Sequence, residues 1–329
     1  MNGTPVEQRT VEEPAGRENG NVAGISENRG TAPGTVAFIG YGEAAQAFVA
    51  GWGAGRTEAI VAYDIKTDSA DAAIVAAKRA DYARTGITGA ASLAGALAGA
   101  AAIFSTVTAD QALVAAEAAA PGIGAGALYF DCNSCSPESK RRAALSIEAA
   151  GGRYVDTAVM APVHPGLHRT PLLVAGPHAA AALERLGALG MNAQAVEGPV
   201  GAASSIKMVR SIMIKGMEAL FLECVLTGRK AGVDETVLAS LEKSFPGFDV
   251  AGRAAYMMSR AMIHGTRRAA EMREVARTVE ELGLAPRMAA ATVGWQAEIG
   301  GLGLPMENDD YRVLADALIE RIPSKDEAA

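Results

Sequence analysis

Aromatic residues make up only 5% of this 329-residue chain, which has three cysteines and four histidines. Cys132, Cys135 and Cys224 are an odd number in a chain long enough to fold without cross-links, which points to a reducing compartment, with the cytoplasm as default. His164, His168, His178 and His264 show no ligand spacing joined to cysteine or acidic partners, so no metal site is expected. An excess of positive charge is also missing. The formal net charge is −7 at pH 7, which disfavours general attraction to nucleic acid or anionic membrane. Gly86 to Ala109 carries no charge at all, but Ala and Gly dominate it and Ser92, Ser105, Thr106 and Thr108 interrupt it. A short helix followed by a buried strand explains it better than a membrane span.

Hydrophobic residues reach 50%, largely as Ala, and there are 37 glycines, a composition for a soluble protein of many helices and close backbone contacts. The length suggests about two domains. The first 33 residues are polar, rich in Gly and Glu, and have no apolar run; a disordered tail without a secretory signal is expected there, with a flexible C-terminus over 323–329. "CNSC" (Cys132 to Cys135) has the spacing of a redox pair, although two small core thiols is the preferred reading.

"TVAFIGYGEAAQAFVAGW" opens the ordered part. Thr35 to Ile39 is a β-type run, Gly40, Gly42 and Ala45 form G-x-G-x-x-A, and Ala47, Phe48 and Val49 continue as a helix. Gly40 permits the tight turn, Gly42 lets backbone amides approach a pyrophosphate, and Ala45 lets helix and strand pack closely. Tyr41, Glu43 and Ala44 complete the loop. A second strand, "AIVAYD", ends at Asp64, where a carboxylate can bind the hydroxyls of an adenosine ribose and would repel the extra phosphate of NADP. NAD is therefore favoured over NADP, with Lys66 able to reach a phosphate. The alternative for Asp64 is a helix cap or turn residue.

Further strands are expected at Ala101 to Thr108, Ala127 to Ser134, Arg153 to Met160 and Pro171 to Gly176, alternating with Ala-rich helices. The fold class is α/β: a Rossmann-type doubly wound parallel sheet over 34–197, followed by an all-helical domain over 198–322. Ligands of such sheets sit beyond the carboxyl ends of the strands, where Thr106, Val107, Thr108, Asn133 and Ser134 fall. Helices are expected at Ser204 to Arg229, Val237 to Lys243, Ala251 to Leu282 and Asp309 to Ile322.

The helix opening with "SSIKMVRSIMIK" is apolar nearly all round, so burial on most sides is expected. Lys207, Ser211 and Glu218 fall in a strip about 40° wide, with Arg210 and Lys215 on its flanks. That stripe is either a buried ion-pair network or the wall of a ligand-filled cleft. Downstream, His264, Arg267, Arg268 and Glu271 have i, i+3, i+4, i+7 spacing and are expected to point inward, although Arg267 and Glu271 could simply pair.

"GYGEAA", "YVDTAVMAPV" and "GPVGAASSIKMVRS" resemble the ordered signatures of the β-hydroxyacid dehydrogenase and 6-phosphogluconate dehydrogenase superfamily, over Thr35 to about Ile322. "SSIKMVRSIMIKGMEALF" and "HGTRRAAEMREVA" resemble its branch with a distinctive C-terminal domain. The resemblance implies that Lys207 is the catalytic lysine beside the nicotinamide, and that two chains pair through their helical domains. Where most members have a Ser-Gly pair for a substrate carboxylate, this chain has Met160 and Ala161, and Ser211 replaces an asparagine four residues after the lysine. His264, Arg267 and Arg268 could supply the missing charge, with Ser134, Lys215 and Glu271 completing the substrate site. The expected function is an NAD(P)-dependent dehydrogenase or reductase acting on an anionic or polyhydroxylated hydroxy acid or similar small alcohol. A dinucleotide-binding regulatory or scaffold protein without turnover and an imine reductase on the same fold are the alternatives.

Overall fold

Residues 34–322 are described by a computed structural model of the chain, and the expected tail (1–33) and C-terminus (323–329) lie outside the described residues. β1 (Thr35–Ile39) is buried along almost its whole length, as a central strand covered by helices on both faces must be. It pairs in parallel with β2 (Ile60–Tyr63) and β4 (Ala100–Ser105). β3 (Thr88–Gly89) lies beyond β2. On the other side β5 (Leu128–Asp131), β6 (Arg153–Val159), β7 (Leu172–Ala175) and β8 (Ala193–Ala195) complete the order β3-β2-β1-β4-β5-β6-β7-β8.

All neighbouring pairs are parallel except β6 and β7. The parallel rhythm read through "PLLVAG" is corrected there. Residues 160–171 hold only one 3-10 turn, Leu167–Arg169, so no helical crossover restores the strand direction. β3 and β8 were not expected, because Thr-Gly and Ala-Gln-Ala carry no apolar run.

Six helices cover the sheet: α1 (Glu43–Trp52), α2 (Ala72–Thr85), α3 (Leu93–Leu97), α4 (Ala112–Ala119), α5 (Pro137–Ala149) and α6 (Ala179–Ala188). The uncharged stretch forms α3 and β4, and among the described residues no helix is long and apolar enough to cross a membrane. The few aromatics are concentrated in the core. Phe38, Phe104 and Phe130 stack in a row through the sheet, and Tyr129 stacks on Tyr154.

Five helices follow: α7 (Ala202–Ala231), α8 (Asp234–Ser244), α9 (Val250–Glu281), α10 (Arg287–Gly301) and α11 (Tyr311–Ile319). α10 was not anticipated. Its inward positions are Ala289, Thr292, Gln296 and Ile299, too weakly apolar to show a period. It packs on α9 through glycine, since a Cβ at Gly265 would strike the Gln296 carbonyl and one at Gly300 would strike the Gly265–Thr266 backbone. The expectation that α7 is buried on most sides is also corrected. Ile206, Val209, Met213 and Leu220 form an exposed apolar strip, on the side roughly opposite Lys207 and Lys215.

Candidate active site

The crevice lies where the chain leaves β1 for β2 on one side and later returns to β4 on the other. Gly40 has φ +78°, and a Cβ there would lie 2.8 Å from the Thr106 carbonyl oxygen and 2.9 Å from Val107 Cγ1. Thr106 Oγ1 donates to the Gly40 carbonyl at 2.8 Å, so Thr106 and Val107 back the glycine turn. Ala45 is fully buried between helix and sheet. Gly42 faces open space and no side chain caps α1, so the first N–H groups of the helix can meet an anion. The loop thus fits a dinucleotide pyrophosphate. Glu43 and Thr108 are exposed at this rim, and Ala44 is half-buried.

Tyr41 does not belong to the binding surface. Its ring is buried against Phe38 and Tyr82, its hydroxyl donates to Thr85 Oγ1 at 2.8 Å, and its N–H is taken by Asp64. Asp64 itself is largely a turn residue. One oxygen accepts the Tyr41 N–H at 2.8 Å, the other accepts the Lys66 N–H at 3.0 Å, and Lys78 lies 3.8 Å away. That lysine offsets part of the negative charge that favours NAD over NADP. Beyond β5, Asn133 is buried and donates to Ser105 Oγ at 2.9 Å and Asp131 Oδ1 at 2.7 Å. Its own carbonyl oxygen has no partner among the described residues, an acceptor that suits an amide donor such as a carboxamide. Ser134 is half-buried beside it.

α7 carries Lys207, Ser211 and Lys215 at i, i+4, i+8, one side of the helix facing α9. Burial pushes the Lys207 amine down to about 8; Glu271 opposes this, and the cations of Lys215 and Lys140 add to it. Lys215 donates to Ser211 Oγ at 3.3 Å and pairs with Glu271 at 2.8 Å. The other Glu271 oxygen takes Arg267 at 2.8 Å. Burial alone would raise this carboxyl, but Lys215, Arg267 and Lys207 together hold it at about 2. Arg210 is exposed on the flank.

Three members of the quartet expected to point inward behave otherwise, and the first, Arg267, is exposed while it pairs with Glu271. Arg268 turns away from the cleft and is buried against Glu218, which also accepts from Gln296 at 2.8 Å. Arg268 is committed to this buried pair, whereas Arg267 pairs with Glu271. The polar stripe therefore divides into a cleft wall at Lys207, Ser211 and Lys215 and a closed ion network at Glu218. His264 is half-buried, and burial, then Arg260, Arg267 and Arg268, push it down to about 4. It is neutral near pH 7 and offers a hydrogen bond in place of the expected charge.

Met160 packs with Ala158, Ala175 and Ala203, and its N–H is taken by the Pro171 carbonyl at 2.9 Å; Ala161 is exposed. Neither offers a side-chain donor to a carboxylate. Cys132 and Cys135 are buried free thiols, and burial pushes Cys132 up to about 12 and Cys135 higher, which suits core residues and not a redox pair. Reasoning from sequence missed the ties that fix the cleft. The Ser136 N–H donates to Glu274 at 2.9 Å and its hydroxyl to Glu281 at 2.8 Å, locking α9 to the loop after β5. It also missed Asp131, at the end of β5, and Asp156, in the middle of β6, carboxylates in buried strands, which were the available signal.

Residues 35–195 match the NAD binding domain of 6-phosphogluconate dehydrogenase, and residues 229–299 match a domain of unknown function (DUF1932). A conserved hypothetical protein from Sinorhizobium meliloti 1021 has a crystal structure 40% identical to this chain. That match covers 88% of this chain and 97% of that one, with a TM-score of 0.68. The chain belongs to the 6-phosphogluconate dehydrogenase-like superfamily. The conserved protein MTH1747, of unknown function and described as similar in structure to 3-hydroxyacid dehydrogenases, is 26% identical over 85% of this chain and 99% of its own, with a TM-score of 0.61. Mycobacterium tuberculosis 3-hydroxyisobutyrate dehydrogenase, at 14% identity, shares the fold over 87% of this chain and 99% of its own, with a TM-score of 0.66. An uncharacterized 28.5 kDa protein of Methanothermus fervidus is 26% identical over 165 residues, half of this chain and 63% of that relative's length. The superfamily assignment brings an NAD(P)-binding domain and a 3-hydroxyacid dehydrogenase-like fold.

Proposed function

We propose that the protein is an NAD(P)-dependent dehydrogenase or reductase that interconverts a small anionic or polyhydroxylated hydroxy acid, or similar alcohol, with its carbonyl form. The observation that carries this reading is the Lys207 amine, brought close to neutral pH on the α9-facing side of α7. A bound nicotinamide supplies or accepts the hydride. In reduction the Lys207 ammonium donates a proton to the carbonyl oxygen; in oxidation the neutral amine takes the hydroxyl proton.

Lys207, Lys215 and Arg267 outnumber the single carboxylate of Glu271, so the cleft favours an anion. With no donor on the Met160 and Ala161 side chains, an acid group is held from the α7–α9 side, by Lys215 and Arg267 kept in place by Glu271. The glycine loop takes the pyrophosphate, and Asn133 and Ser134 lie at the end of β5. NAD remains favoured on account of Asp64, by a margin that Lys78 narrows.

A second reading, a regulatory dinucleotide-binding protein without turnover, is favoured by the missing donors at Met160 and Ala161. The exposed strip of Ile206, Val209, Met213 and Leu220 supports pairing of two chains through α7. Hydroxy acids, alcohols, carbonyls and imines assayed with both nicotinamides test the function. Turnover of an anionic hydroxy acid is the expected result. Dinucleotide binding without any turnover sinks the dehydrogenase reading, and turnover confined to imines redirects it.

A further inference from the structure

Behind the cleft lies a buried polar cluster that the proposed reaction does not use. Lys140 on α5 is 0% exposed, and its ammonium lies 3.1 Å from Asp131 and 3.8 Å from Asp156. It also donates to the carbonyls of Asp131 at 2.5 Å and Thr157 at 3.4 Å. Tyr154 Oη donates to Asp131 at 2.6 Å, and Asn133 donates to the other Asp131 oxygen through its backbone and side chain. A sealed ammonium is costly unless it is paired this fully.

The cluster reaches α7 through Asp156. α7 starts behind Gly201, at φ +103°, with no side-chain cap of its own. Asp156 Oδ2 supplies one from β6, accepting the N–H of Gly201 at 3.0 Å, the N–H of Ser204 at 3.1 Å and the Ser204 hydroxyl at 3.3 Å. A Cβ on Gly201 would meet Pro137, so the starts of α5 and α7 adjoin. Lys207 stands one turn beyond Ser204. We infer that Lys140 is a positioning residue for Lys207: the ion network it centres fixes the first turn of α7, and with it the Lys207 side chain, through Asp156.

Three charged groups bear on that amine: Lys140 from α5, Lys215 from α7 and Glu271 from α9; the Cys132 thiol after β5 is neutral where the amine titrates. Lys140 differs from Lys215 and Glu271 in having no exposure to solvent, so its charge is the least screened. Removing it takes away a repelling cation and leaves two carboxylates uncompensated, and both changes favour the protonated form of Lys207. The inference takes its functional meaning from the reading of Lys207 as the acid and base, but its test needs no substrate.

The test is competitive labelling of the full chain with acetic anhydride across pH, with the Lys207 peptide quantified by mass spectrometry and exposed Lys66 as the internal reference. In the wild type, Lys207 is expected to titrate near about 8. In Lys140→Met the midpoint is expected to rise by roughly half a pH unit or more, and in Lys140→Arg to stay close to the wild type. A folded Lys140→Met chain with an unmoved midpoint overturns the inference, whereas a purely structural role leaves this titration unchanged. If Lys140→Met does not fold, Lys140→Gln, which removes the charge and keeps hydrogen-bond donors for Asp131, carries the test, with the same rise in the Lys207 midpoint expected. Amide exchange in the first turn of α7 is then expected to quicken about tenfold relative to its last turns, and unchanged exchange overturns the inference. Turnover that survives Lys207→Met sinks the reaction proposed above and leaves the network standing.

Discussion

Lys207 and Glu271 both hold their protons less tightly than usual, the amine chiefly because it is buried and the carboxyl, despite burial, because cations surround it. With the Lys207 amine near 8, oxidation is expected to speed up as pH rises and level off above about 8, where the amine is neutral. Reduction is expected to slow over the same range as the ammonium is lost, and pH profiles of kcat/KM in both directions check this. Glu271 is held at about 2, below its ordinary 4.5. Its contribution to stability is therefore full above about 4.5 and is lost as pH falls towards 2. Glu271→Gln is expected to cost about 2 kcal/mol at pH 7 in urea unfolding. The gap from the wild type should hold down to about pH 5 and shrink below 4.5. The stripe of Lys207, Ser211 and Lys215 was legible because charge on an apolar helix demands a reason. Arg268 was not, because its partner Glu218 lies 50 residues away on α7 and only packing brings the two together.

The α9–α10 pair is where small residues decide the helical packing. Gly265 and Gly300 let the two backbones approach until a Cβ on either would strike the other helix. Gly265→Val is expected to destabilise the chain by about 3 kcal/mol, read as a lowered urea midpoint, since backbone cannot yield as a flexible side chain can. α10 left no trace in the sequence for the same reason: an interface made of Ala, Thr, Gln and Gly has no apolar period. β1, β2 and α1 were legible because a strand, a glycine turn and a helix impose residue types locally. The reversal of β7 was not, because the direction of a strand depends on the connection before it and leaves its composition unchanged.

At the scale of the molecule, the α/β order and the switch to helices after β8 could be read from alternating patterns alone. The surface could not. Whether α7 is covered depends on neighbours, and Val209, Met213 and Leu220 are between 53% and 64% exposed. Met213→Glu is expected to shift a dimer to monomer in sedimentation velocity, and a wild type that is already monomeric counts against pairing through this strip. Dissociation constants for NAD and NADP are expected to favour NAD by less than about tenfold, since Lys78 stands beside Asp64. The measurement that bears most directly on the proposed chemistry is turnover by Lys207→Met on the best substrate, with dinucleotide affinity measured in parallel. The expected result is a loss in kcat of about a hundredfold or more with affinity for the dinucleotide unchanged; a variant that keeps kcat close to the wild type contradicts the role assigned to Lys207.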